Sequence, residues 1–210
     1  MDPTQVSVTT FDQCAEQYQT RYMDVTAYAP ALDQFCAALP AGPARVLDVG
    51  CGPGNVMRYL TDKRPDLQFT GVDLAPNMLA LARHNCPTAT LRSLDCRNIN
   101  QLSGPFNGVL CSFCLPYLDQ PEAAALFRHA WQLLAPGGVV YVSTMEGERA
   151  RSGWQTSSSG HRVYTQYYPA PILLELLSAQ GFALIALHRQ TFHRPDAPPD
   201  QDLLLLARKP

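Results

Sequence analysis

Asp48 and Asp73 are the residues of this chain best placed to do chemistry, because each ends a strand-forming run beside a turn. Val46, Leu47 and Val49 around Asp48 are apolar, as a strand covered on both faces requires. The run passes straight into Gly50-Cys51-Gly52-Pro53-Gly54-Asn55, a glycine turn whose backbone can approach a ligand closely. A dinucleotide-binding turn reads G-x-G-x-x-G and sets a pyrophosphate on a helix N-terminus. Here the third glycine comes one residue early, at Gly54, and Asn55 stands where that fingerprint has glycine. The charge of Asp48 would repel a phosphate and suits a ligand with a cationic head. Asp73 follows Gly54 by 19 residues and closes the second run, Phe69-Thr70-Gly71-Val72-Asp73. A carboxylate so placed can accept hydrogen bonds from both hydroxyls of a ribose.

Three further segments follow in order. Leu91-Arg92-Ser93-Leu94-Asp95-Cys96 ends a third run in another acid. Gly108-Val109-Leu110-Cys111-Ser112-Phe113-Cys114 is a fourth run, followed by Leu115-Pro116-Tyr117. A helical stretch over 122–134 is stopped by Ala135-Pro136-Gly137-Gly138, and Val139 opens a fifth strand. Together these segments resemble the class I S-adenosylmethionine-dependent methyltransferases.

The resemblance implies a cofactor, S-adenosyl-L-methionine, and a site for it. Asp48, Gly50, Cys51, Gly52, Gly54 and Asn55 would form the turn around it, and Asp73 would bind its ribose. Leu74 and Met78 would pack against adenine, with helix-to-sheet core packing as the other reading. Asp95 would accept from the adenine amino group and the Cys96 amide would meet a ring nitrogen; a turn-capping role for Asp95 is the alternative. Ser112, Phe113 and Cys114 would face the methionine half.

These residues need a frame. Strand-like and helical runs alternate, which implies a parallel sheet with helices on both faces. Strands are predicted at 45–49, 68–73, 89–94, 108–112 and 139–143, then a helix over 171–179 and strands at 182–190 and 202–207. The last two are joined directly and should be antiparallel neighbours. The resemblance implies an α/β fold: a Rossmann-like, doubly wound, seven-stranded sheet in a three-layer sandwich, with the last strand antiparallel and inserted between the fifth and sixth. The whole of 1–210 reads as a single domain.

Two segments lie outside this frame. Residues 1–40 are expected to form a helical cap, with two helices between 11 and 39; the resemblance implies that Tyr18 or Tyr22 touches the cofactor there. Residues 145–168, rich in glycine and serine, are expected to form a mobile lid at the carboxyl ends of the strands. Tyr117, Glu146, Tyr164 and Tyr167 are the candidate contacts for a methyl acceptor, with His161 and Tyr168 beside them. Glu146, His161 and Tyr117 are the candidate bases, and each has a plain structural alternative as strand-end cap, loop residue or core.

Composition narrows the partners. Net charge is −2 and no basic tract occurs, which disfavours a nucleic-acid partner, since phosphate contacts carry most of that affinity. No apolar run is long enough to span a bilayer, and no leader pattern opens the chain, so a cytoplasmic enzyme is expected. The seven cysteines include one C-x-x-C, Cys111 and Cys114, without the second pair that a zinc site needs; no metal is expected. The expected activity is methyl transfer to a small molecule. The alternatives are cofactor binding without catalysis, and a nucleic-acid or protein acceptor.

Overall fold

The computed structural model describes residues 2–157, 160–194 and 197–210. Ser158 and Ser159, at the tip of the expected lid, and Pro195 and Asp196, between the last two strands, lie outside the described residues.

Three helices precede the sheet: α1 (Pro3–Gln13), α2 (Ala15–Tyr22) and α3 (Ala29–Ala38). The expectation of two helices starting at Phe11 is therefore corrected. α1 begins where Asp2 accepts a hydrogen bond from the Thr4 amide at 3.0 Å and Pro3 takes the first position. Alternation then sets in: β1 (Ala44–Val49), α4 (Asn55–Lys63), β2 (Leu67–Asp73), α5 (Pro76–Asn85), β3 (Thr90–Ser93), β4 (Phe106–Ser112), α6 (Gln120–Leu133) and β5 (Leu134–Glu146). A small hairpin, β6 (Gly153–Thr156) and β7 (Arg162–Thr165), comes before α7 (Ala170–Ala179), β8 (Ala183–Arg194) and β9 (Ala197–Arg208).

The main sheet has seven strands in the order β3-β2-β1-β4-β5-β9-β8. β9 runs antiparallel to both of its neighbours, and the other pairings are parallel, so the last strand is inserted as expected. Two apolar layers follow from strand alternation. Leu47, Val49, Val109, Val140 and Val142 face α6 and α7, while Val46, Leu110, Tyr141 and Leu204 face the layer of α3 and α4.

Two expectations about local structure change. β5 starts at Leu134 rather than 139, because Leu134 already pairs with Phe106 before the Pro136-Gly137-Gly138 turn. The segment 145–168 is not an open loop. It holds a short 3-10 turn at Arg149–Arg151 and the β6–β7 hairpin, which is tied back by the Gln166 amide donating to the Pro116 carbonyl at 2.7 Å. Among the described residues no helix is long and apolar enough to cross a membrane.

Candidate functional site

The glycine turn is built by β2. The Gly50 and Cys51 amides both donate to the Val72 carbonyl, at 2.8 and 3.0 Å, which folds the turn over the end of β1. Gly50, Gly52 and Gly54 take φ of +68°, +51° and +84°, a region that side chains rarely adopt. A Cβ at Gly50 would lie 3.2 Å from the Cβ of Cys114. The turn is thus packed against the end of β4.

Two carboxylates flank it. Asp48 is 1% exposed, and its Oδ1 has no hydrogen-bond partner. Burial, helped by the nearby charge of Asp73, pushes its carboxyl up to about 7. Asp73 has both oxygens engaged: Oδ2 accepts from the Gly52 amide at 2.9 Å and Oδ1 from the Ala75 amide at 2.8 Å. Burial raises its pKa and those amides pull the other way. Each oxygen keeps a further lone pair for a ligand hydroxyl.

A cavity opens over this edge, with mainly apolar walls. Gly50, Gly52, Asp73, Leu74, Met78 and Cys96 line one side. Ser112, Phe113, Cys114 and Tyr117 line the other, and Tyr18 reaches it from α2. Phe113 carries φ +54° just past the end of β4; its amide donates to the Ser143 carbonyl at 3.0 Å. The roof is α1, through Thr4, Ser7, Val8 and Phe11. Sequence reasoning passed over those four, along with Ala75 and Leu94, because α1 shows no apolar stripe to mark it as a cover.

Other expected cofactor residues stand behind the lining. Cys51 is buried under the turn, and Gly54 opens α4 against Cys86. Asn55 donates to the Tyr22 carbonyl at 3.0 Å, and Tyr22 is an exposed ring tilted against Tyr18 with centroids 4.7 Å apart. Asp95 is away from the lining, capping a turn through the Arg97 amide at 2.8 Å and gripping the Arg97 guanidinium.

The expected acceptor contacts are dispersed. Of them, only Tyr117 lines the cavity, edge-on to Phe11 at 5.0 Å. Burial pushes its phenol far above the ordinary value, so at neutral pH it stays protonated and is a poor base. Glu146 is held by Arg189 at 2.6 and 2.9 Å. Tyr164 meets Trp154 edge to face, Tyr167 lies under Arg151, and the Tyr168 hydroxyl donates to the Leu118 carbonyl inside the core. His161 Nδ1 lies 3.5 Å from the Cys14 sulfur. The hairpin thus packs against α1 and does not line the cavity itself: the Thr10 hydroxyl donates to the Arg162 carbonyl at 2.7 Å, and the Tyr164 amide donates to the Ser7 hydroxyl at 3.2 Å.

Comparison with known proteins places this geometry. Residues 46–138 match the model of a family described as methyltransferase domain. A trans-aconitate 2-methyltransferase of Methylobacterium nodulans is 35% identical over 113 residues, covering 54% of this chain and 43% of that protein. A ubiquinone biosynthesis O-methyltransferase of Xanthomonas oryzae is 34% identical over 119 residues, covering 54% and 48%. The chain therefore spans less than half the length of these curated relatives. Among solved structures, a Burkholderia thailandensis 1,6-didemethyltoxoflavin-N1-methyltransferase with bound 1,6-didemethyltoxoflavin and S-adenosylhomocysteine superposes with a TM-score of 0.72. It is 25% identical, and the match covers 97% of this chain and 87% of that one.

Proposed function

We propose that this chain, whose residues 46–138 match the model of the methyltransferase-domain family, is a class I S-adenosylmethionine-dependent methyltransferase acting on a small molecule. The observation that carries the reading is Asp48, a buried carboxylate with one unpaired oxygen, which stands behind the cavity lining at the end of the strand that runs into the glycine turn. A buried acid without a cation is costly, and an ammonium group set on the turn would relieve it. A phosphate would make it worse. The residues present therefore fit the amino-acid end of the cofactor, and the remaining lone pairs of Asp73 fit its ribose. Leu74 and Met78 offer apolar surface for adenine, and Ser112, Phe113 and Cys114 border the methionine end.

When bound, the cofactor's sulfonium supplies a methyl group already activated for transfer. The chain's own contribution is to hold, orient and exclude water. Phe11, Phe113 and Tyr117 give the cavity apolar walls, and α1 covers one side of it. The toxoflavin, aconitate and ubiquinone-pathway names of the similar proteins support a small-molecule acceptor here. The net charge of −2 argues against a polyanionic partner. All seven cysteines are free thiols, which supports a reducing, cytoplasmic setting.

Calorimetry tests the reading. S-adenosylmethionine and S-adenosylhomocysteine should bind far more tightly than NAD, and Asp48→Asn should weaken the first two. A preference for NAD would overturn it.

A further inference from the structure

A second buried carboxylate lies beyond the cavity, and nothing in the cofactor reading uses it. Asp202 sits on β9 opposite Met145 of β5 and Gln190 of β8, at the edge where the parallel strands end. It shares a sheet face with Leu204 and Leu206, the face that also carries Asp48, Ser112 and Ser143. Asp202 is 6% exposed. Among the described residues no lysine, arginine or histidine pairs with it, and its one side-chain partner is the Tyr28 hydroxyl, donating at 2.8 Å. The groups facing it are Tyr28 from the turn before α3, Tyr141 from β5 and Asp200 from its own strand. Asp200 itself reaches Arg151 at 3.6 Å. Burial, helped by Asp200, pushes Asp202 up to about 6, and the Tyr28 hydrogen bond works against that.

Packed aromatic rings join this pair to the surface on one side and to the cavity lining on the other. The Tyr28 ring lies 6.2 Å from Phe192, which is 37% exposed, and 5.4 Å from Phe113, which lines the cavity. On the same sheet face the Ser112 and Ser143 hydroxyls, paired across β4 and β5, are 3.2 Å apart, and Ser112 also lines the cavity. The three rings are in contact, so a flat ring that displaced Tyr28 would find aromatic surface on both sides. A buried carboxylate held by a phenol, with no cation, accepts a proton or a hydrogen bond from whatever lies there.

We propose that Asp202, oriented by Tyr28, receives the proton of the methyl acceptor, which is a flat aromatic or heteroaromatic molecule methylated at an O–H or N–H group. The inference rests on the methyltransferase reading. In the step, a lone pair on the acceptor's oxygen or nitrogen forms the new bond to the methyl carbon. The carbon–sulfur bond breaks with its pair going to sulfur, and the O–H or N–H proton passes to the Asp202 carboxylate. Tyr28 is a positioning residue, and its ring is also the wall that an acceptor must displace.

The test uses the full chain with hydroxyarenes and amino-heteroarenes, matched thiophenols and matched saturated alcohols. S-adenosylhomocysteine release is the first readout. Binding of each compound to protein saturated with S-adenosylhomocysteine is measured as well, whether or not it turns over. The O–H and N–H arenes should bind, and binding should fall tenfold or more in Asp202→Ala. Where turnover occurs, Asp202→Asn should lower kcat by about 100-fold, the lower range for losing a proton acceptor. It should leave S-adenosylhomocysteine affinity within about twofold, as expected of a residue outside the cofactor lining. Wild-type turnover should fall on the acid side near pH 6, and Tyr28→Phe should move that limb upward, since it removes the bond that favours the carboxylate. Equal arene binding or equal turnover in the Asp202 variants overturns the proposal. So does reaction confined to thiols or saturated alcohols, or absence of any arene binding. Failure of S-adenosylhomocysteine itself to bind overturns the methyltransferase reading instead.

Discussion

The Asp73 carboxylate accepts a hydrogen bond from the Gly52 amide at 2.9 Å, so the acid that ends β2 also holds the glycine turn that follows β1. The turn and the expected ribose contact are one assembly. Asp73→Ala should weaken S-adenosylhomocysteine binding by about 1–3 kcal/mol, the cost of losing hydrogen bonds to a charged group. It should also speed hydrogen exchange at Gly52 and Ala75, whose amides lose their acceptor. Calorimetry and exchange read the two effects separately. Unchanged affinity in a folded variant would place the ribose elsewhere.

Asp48 gives a pH signature in the ligand-free protein. Its carboxyl rises from 3.8 to about 7 on folding. Between those pH values the folded chain keeps a proton that the unfolded chain has released. Stability is therefore highest in acid, as far as this group is concerned, and falls as pH climbs through that window. Asp202 adds a smaller loss of the same sign, from 3.8 to about 6. Asp48→Asn should raise Tm at pH 8 and flatten its decline between pH 4 and 7, while weakening cofactor binding. A wild-type Tm that rises across that window would contradict the burial argument.

Arg97 joins the start of α1 to the rim of the cavity. Its guanidinium meets Asp2 at 3.0 Å, Asp95 at 2.7 Å and Glu122 at 3.1 Å. Arg97→Ala should raise the S-adenosylhomocysteine dissociation rate severalfold, because α1 roofs the cavity. High salt should reproduce part of the effect in the wild type by screening these half-buried pairs. Stopped-flow displacement measures both, and a salt-independent, unchanged rate would mean that α1 is held by its other contacts.

How much of this was legible in the sequence depended on where apolar burial left a pattern. β1, β2 and β4 read clearly, because a strand covered on both faces is mainly apolar and each of these runs into a turn or ends in an acid or a hydroxyl. The cofactor edge followed from them, and Gly50, Gly52, Asp73, Met78 and Cys96 do line the cavity. α1 was hidden because Val6, Val8, Thr9 and Thr10 form helix poorly and its inner face is Thr4 and Ser7 rather than leucines. The hairpin was hidden by glycine and serine, and its pairing with α1 is a contact between distant residues that no local pattern records. Asp202 was passed over because an acid at the head of Leu203-Leu204-Leu205-Leu206 reads as a strand end. Its burial comes from Tyr28, which lies 174 residues earlier in the chain.

The same contacts change what removing the hairpin would do. Were 149–160 a free lid, deleting it would spare cofactor affinity and affect turnover alone. Instead β7 clasps α1 through Thr10 and Ser7, at 2.7 and 3.2 Å, and α1 is the cavity roof. Two small changes isolate this clasp. Thr10→Val removes the donor to Arg162 and keeps the side chain's shape; Ser7→Ala removes the acceptor for the Tyr164 amide. Each should cost about 1 kcal/mol or less of global stability, as a single hydrogen bond does. The pair should nonetheless raise the S-adenosylhomocysteine dissociation rate severalfold, because only the roof has been loosened and local opening is far easier than unfolding. Tm and stopped-flow dissociation separate the two quantities. A dissociation rate that stays at the wild-type value while Tm falls would show that the clasp stabilises the chain without gating the cavity.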